Sequence, residues 1–150
     1  MKEKLQQLGK ILITPAVKIE VLTDIDKFPE AKVIKQNLDK NIVQEIKMSI
    51  KQLPQINNLG KGEKETIESC IKEGDVFVTD DHQALNYAIS RGLKPKTTEI
   101  VLLDLLKEKR ITIKEFEEVF NQLVLTKSLR PKIKELILEK AQEFENERPN

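Results

Sequence analysis

The sequence predicts an α/β fold with a short parallel sheet and a helical C-terminal third, on three observations. Short apolar runs, Ile11-Leu12-Ile13 and Val76-Phe77-Val78, alternate with stretches of helical periodicity. The second run is continuous rather than alternating, as expected of a parallel strand covered on both faces. Beyond residue 97 the apolar residues follow helical spacing to the end of the chain.

The elements follow in order. Residues 2 to 8 read as the end of a helix stopped by Gly9, and Ile11-Leu12-Ile13 is a short strand. Thr14-Pro15 supplies an N-cap followed by proline at the first helical position, where its missing N–H costs nothing, so a helix runs from residue 15 to about 23. Its inner stripe is Val17, Val21 and Leu22, with Glu20 bordering it. A second helix, from residue 29 to about 38, offers Ala31, Val33, Ile34 and Leu38 for packing. Residues 42 to 48 alternate apolar and polar and suit an edge strand, and residues 49 to 60, with Pro54, Asn57, Asn58 and Gly60, form a loop.

The helix over residues 62 to 73 places Glu63, Ile67, Cys70 and Ile71 on one face and stops at Gly74. After the strand at residues 76 to 78, a helix from Asp81 to Ser90 turns Leu85, Ala88 and Ile89 inward and closes at Gly92. Residues 93 to 96 suit one more short strand. Thr97-Thr98-Glu99 then opens a very apolar helix through Ile100, Val101, Leu102, Leu103, Leu105 and Leu106. Two amphipathic helices finish the chain, one with Phe116, Val119, Phe120 and Leu123, the other with Ile133, Leu136, Ile137, Ala141 and Phe144.

A chain of 150 residues suits one domain with its own core, here residues 1–146, with 147–150 as a tail. Lys and Arg number 26 against 25 Asp and Glu, so net charge gives no general attraction for nucleic acid or membrane, and any basic surface is local. The absence of an apolar run of about 18 residues and of a signal-peptide pattern predicts a cytoplasmic protein without a membrane partner. Cys70, the sole cysteine, excludes an internal disulfide and a cysteine zinc cluster, and its neighbours Ile67 and Ile71 predict a buried thiol.

Acidic residues carry the chemistry. In α/β sheets ligands collect beyond the C-terminal ends of parallel strands, where Asp80 and Asp81 fall, and Glu20 and Glu63 lie near helix starts on inward faces. Converging carboxylates repel one another unless a cation sits among them, and magnesium accepts a few carboxylates and retained waters. Each acid also has a plainer reading: Glu63 as a helix N-terminal acid favoured by the macrodipole, Asp81 as a cap, Glu20 as a solvated flank. His82 reads as a first-turn surface residue, and Gly60-Lys61-Gly62 as a turn and close approach rather than a phosphate loop.

Leu59-Gly60-Lys61-Gly62-Glu63-Lys64-Glu65, then Val78-Thr79-Asp80-Asp81, Gly92, Thr97 and a Leu-rich helix, resemble the C-terminal two-thirds of a PIN-domain protein; Ile13-Thr14-Pro15-Ala16-Val17 with Glu20 resembles the family's second acidic motif. The resemblance implies a three-layer α/β/α fold and a Mg²⁺- or Mn²⁺-dependent endoribonuclease, often the toxin of a toxin-antitoxin pair, with RNA as substrate and an antitoxin as partner. It implies Glu20, Glu63 and Asp81 as metal ligands, with Asp80 competing for the last role. Lys61, Arg91, Lys94 and Lys96 are then candidate phosphate contacts.

Family members open with a strand bearing a metal-binding Asp, and here no Asp precedes Asp24. The resemblance therefore leaves three readings: an upstream extension, a strand supplied by a partner, or an inactive PIN-like interaction module. It also predicts that residues 11 to 13 and 76 to 78 flank a gap, filled by rearrangement or by a homodimer.

Overall fold

The computed structural model describes residues 1–48, 53–55 and 58–149. In order the elements are α1 (Lys2–Leu5), β1 (Ile11–Ile13), α2 (Pro15–Thr23), α3 (Pro29–Asp39), β2 (Val43–Glu45), α4 (Lys61–Glu73), α5 (His82–Ser90), α6 (Thr98–Lys107), α7 (Ile113–Lys127) and α8 (Pro131–Asn146). The fold is thus α/β with a short parallel sheet and a helical C-terminal third. Of the loop expected at residues 49 to 60, Asn57 and residues 49–52 and 56 lie outside the described residues. Among the described residues, no helix is long and apolar enough to cross a membrane.

The chain divides into two compact units, one formed mainly by residues 9–96, the other by residues 3–8 and 97–150. In the first, β1 and β2 pair in parallel with Ile11 opposite Val43, Leu12 opposite Gln44 and Ile13 opposite Glu45. A second, shorter parallel ladder sets Val78 against Lys96: the Lys96 N–H donates to the Phe77 carbonyl at 2.9 Å, and the Thr79 N–H donates to the Lys96 carbonyl at 3.0 Å. Among the described residues no strand pairing joins the two ladders.

The helix starts follow local chemistry. Thr14 caps α2, its Oγ1 accepting the Val17 N–H at 3.4 Å, and Pro15 occupies the first position. Helix α4 ends where Gly74 turns left-handed at φ 75°, a conformation costly for residues with a Cβ. The core of this unit joins Leu59, Ile67 and Cys70 to Phe77, Ala84 and Ala88, with Tyr87 and Leu93 packed against it.

Burial corrects several expected faces. Phe77 is 4% exposed, but Val76 and Val78 are 59% and 49% exposed, so this run is not covered on both faces. Its only ladder partner among the described residues is the Lys96 segment, and the packed core takes just the Phe77 side. Ile71, Ile89 and Val33 also stand exposed rather than inward. In α5 the buried positions are Ala84 and Ala88, which share the core cluster with Ile67 and Cys70 of α4.

In the second unit α6, α7 and α8 enclose Leu102, Leu103, Leu105, Leu106, Ile111, Phe116, Phe120, Ile137 and Ala141, and Leu5 packs against this cluster. The Phe116 and Phe120 rings stack with centroids 5.4 Å apart. Ile133 and Leu136, expected on the inner stripe of α8, lie outward, while Ile137 and Ala141 carry the contact. Glu99, buried in the first turn of α6, pairs with Lys127 at the end of α7. Beyond α8, the Arg148 guanidinium donates to the carbonyls of Leu106 at 3.3 Å and Ile111 at 2.9 Å.

Candidate functional site

The site is built where the starts of α2 and α4 meet. Each helix leaves its first backbone N–H groups without intrahelical acceptors. At α2, Pro15 has no N–H to satisfy and Thr14 takes the Val17 N–H, which leaves that of Ala16; it donates to Glu65 Oε1 of α4 at 2.9 Å. At α4, the Gly62 N–H donates to Glu20 Oε1 of α2 at 2.9 Å. Each helix is therefore capped at its second position by a carboxylate of the other.

Further bonds surround this exchange. Glu63 Oε2 accepts the Gly60 N–H at 2.9 Å, half of a capping box, since Gly60 has no side chain to return the bond. Thr66 Oγ1 donates to the Gly62 carbonyl at 2.7 Å and lies 3.3 Å from Oγ1 of the buried Thr14. The predicted close approach is real at Gly62, where a Cβ would stand 2.5 Å from Glu20 Oε2 and 3.0 Å from Val17 Cγ2. At Gly60 a Cβ would lie 3.6 Å from Glu63 Oε2 and 3.8 Å from Glu20 Oε1, so both carboxylates flank that point.

Asp80 and Asp81 follow the Phe77–Thr79 ladder and are exposed. Asp81 caps α5: its Oδ1 accepts the Ala84 N–H at 2.7 Å, and its own N–H donates to Thr79 Oγ1 at 3.2 Å. His82 is the exposed first residue of α5. The structure thus brings Glu20 and Glu63 together at one helix start, with Asp81 on another. Among the described residues, no group of three or more His, Cys, Asp or Glu side chains is arranged to hold a metal ion.

Of the basic candidates, Lys61 is exposed at the first position of α4, and Lys94 is exposed. Lys96 is half-buried in the ladder opposite Val78. Arg91 is engaged: its guanidinium pairs with Glu68, donates to the Tyr87 hydroxyl at 2.8 Å and lies 5.7 Å from the Tyr87 ring centroid. The bond to Glu68, then that to Tyr87, raises its pKa above the ordinary arginine value.

Sequence reasoning missed Glu65, Thr66 and the Glu68–Arg91–Tyr87 contact. The signal for Glu65 lies in Thr14-Pro15 itself. That start leaves one donor, Ala16, without a local acceptor, and a carboxylate elsewhere must answer it.

In comparison with known families, the PIN domain family model matches residues 3–143. No curated protein and no solved structure matches the chain. The matched span takes in most of both units, with the paired helix starts and the Asp81 cap, and on it the chain belongs to the PIN-domain family.

Proposed function

We propose that this chain is a divalent-metal-dependent endoribonuclease, with Glu20 and Glu63 as the acids that hold Mg²⁺ or Mn²⁺ and Asp81, with Asp80, as the further acids of the site. PIN domains are in general nucleases that depend on divalent metal. The observation that carries the reading is the pair of carboxylates flanking Gly60 at the start of α4.

The donor set fits a magnesium-like ion. Such ions bind through one or two carboxylates plus waters and substrate phosphates. Glu20 and Glu63 each give one oxygen to a backbone N–H and keep the other for a cation. When bound, the cation supplies positive charge at the phosphate oxygens and a more acidic water.

The chain's own residues contribute orientation. The bonds to Gly60 and Gly62 fix both carboxylates before substrate arrives, so little reorganisation remains to be made. Lys61, exposed beside them, and the positive end of the α4 dipole favour an approaching phosphate. Lys94 and Lys96 are proposed as further backbone contacts, and Arg91 as one that must share its guanidinium with Glu68.

The test is cleavage of a single-stranded RNA with Mn²⁺ by the wild type, Glu63→Ala and Asp81→Ala. Wild type should cleave only with metal, and each variant should lose about tenfold or more. Equal activity in all three would overturn the assignment.

A second reading, a non-catalytic binding module on the PIN scaffold, draws on the lack of a three-residue acidic group among the described residues. It predicts a folded chain that takes up no Mn²⁺ in calorimetry.

A further inference from the structure

We propose that Glu65 is the positioning residue of this site: it holds the start of α2 against α4 and thereby sets where the Glu20 carboxylate lies. The proposal concerns geometry, and its consequence for cleavage rests on the nuclease reading above.

The argument begins with the exchange of caps. The Glu20 carboxylate reaches the Gly62 N–H from the second turn of α2, so its position depends on how α2 is anchored. The first turn of α2 is anchored by two side-chain acceptors, Thr14 Oγ1 on Val17 at 3.4 Å and Glu65 Oε1 on Ala16 at 2.9 Å. Only the second comes from α4, and it is the shorter bond and the one with a charged acceptor.

The two bonds therefore close a ring. Glu65 holds α2, α2 carries Glu20, Glu20 holds the start of α4, and α4 carries Glu65 one turn in. Gly62 admits no side chain between the helices, since a Cβ there would meet Glu20 and Val17 at 3.0 Å or less. The Thr14–Thr66 contact lies in the same seam and fixes the spacing. Such a ring responds as a unit, so breaking one cap loosens the other.

Glu65 is chemically distinct from Glu20 and Glu63 in this arrangement. It does not border Gly60, the point those two flank. Its role is therefore to orient one of the acids rather than to meet the cation.

The test uses the full chain as wild type, Glu65→Gln, Glu65→Ala and Glu65→Asp, read by amide hydrogen exchange and by RNA cleavage with Mn²⁺. Glutamine keeps an acceptor oxygen at the same reach, so Glu65→Gln should exchange as wild type at Ala16 and Gly62. Glu65→Ala should exchange about tenfold or more faster at both amides, although only Ala16 touches residue 65. Glu65→Asp, which keeps the charge but falls short, should behave as alanine does and serves if the alanine variant does not fold.

In cleavage, Glu65→Ala should lower kcat and raise the Mn²⁺ concentration for half activity, with KM for RNA unchanged and with rescue in Glu65→Gln. Faster exchange at Ala16 with Gly62 unchanged would overturn the proposal. So would a glutamine variant as impaired as alanine in exchange. If the wild type cleaves no RNA, the nuclease reading fails and the exchange result alone decides the positioning role.

Discussion

Replacing Gly62 by alanine isolates the contact on which the site depends. Gly62 sits at the second position of α4 in helical conformation, and alanine elsewhere in a helix would gain about 0.5–1 kcal/mol over glycine. Here the added Cβ would stand 2.5 Å from Glu20 Oε2 and 3.0 Å from both Glu20 Cδ and Val17 Cγ2. The Glu20 carboxylate, at the end of a flexible side chain, must swing away and release the Gly62 N–H.

A hydrogen bond to a charged group contributes about 1.5–3 kcal/mol, and the exposure of Glu20 lets water recover part of it. Set against the helix gain, the net loss is about 1 kcal/mol, or roughly 2–4 °C in Tm for a chain of this size. Urea and thermal unfolding followed by circular dichroism measure it. A Gly62→Ala variant as stable as wild type, or more stable, would refute the close approach of Glu20 to this backbone.

Other consequences are independent of the site. Phe120, fully buried and stacked on Phe116, should cost about 3–5 kcal/mol in urea unfolding when replaced by alanine. The Cys70 thiol is pushed up to about 11, first by burial and then by Asp75, so a thiol reagent near neutral pH should label the urea-unfolded chain but not the native one. Glu115 is held below the ordinary carboxylate value by the Thr112 backbone N–H and then the Thr112 hydroxyl. Because its folded pKa is depressed, the Thr112–Glu115 box adds stability above the unfolded value of about 4.3 and loses it as pH falls through the folded one. The difference in unfolding midpoint between wild type and Glu115→Gln should therefore shrink as the solution is acidified below the unfolded value.

The helices were legible because their ends are written in local chemistry. Thr14-Pro15, Asp81 and Gly74 act within a few residues, and each falls where the chain pattern puts it. Faces were harder to read. Val76 and Val78 look identical to Phe77 in the sequence, and only the sparse pairing of that ladder decides that one side is packed. Ile89 and Leu136 lost their expected inward places to smaller or better-placed neighbours, Ala88 and Ile137.

The acids were legible as a group but not in their partners. The sequence places Glu20 and Glu63 near helix starts; Glu63 lies in the first turn of α4, whereas Glu20 sits in the second turn of α2 and reaches the start of α4 with its carboxylate, so helix amides rather than a sheet edge hold both. Unsatisfied N–H groups at a helix start are strong donors, and a nearby carboxylate answers them. Glu65 escaped notice because its acceptor role depends on α2, nearly fifty residues earlier in the chain, arriving beside α4.

Paramagnetic broadening by Mn²⁺ in two-dimensional amide spectra tests the central claim most directly. Substoichiometric Mn²⁺ should broaden the amide signals of Gly60, Gly62 and Glu63 first, and a Glu20→Gln, Glu63→Gln double variant, which keeps acceptor oxygens for both amides, should lose that effect while remaining folded. Sharp Gly60 and Gly62 signals while others broaden, or the same broadening in the double variant, would contradict a cation held by these two carboxylates.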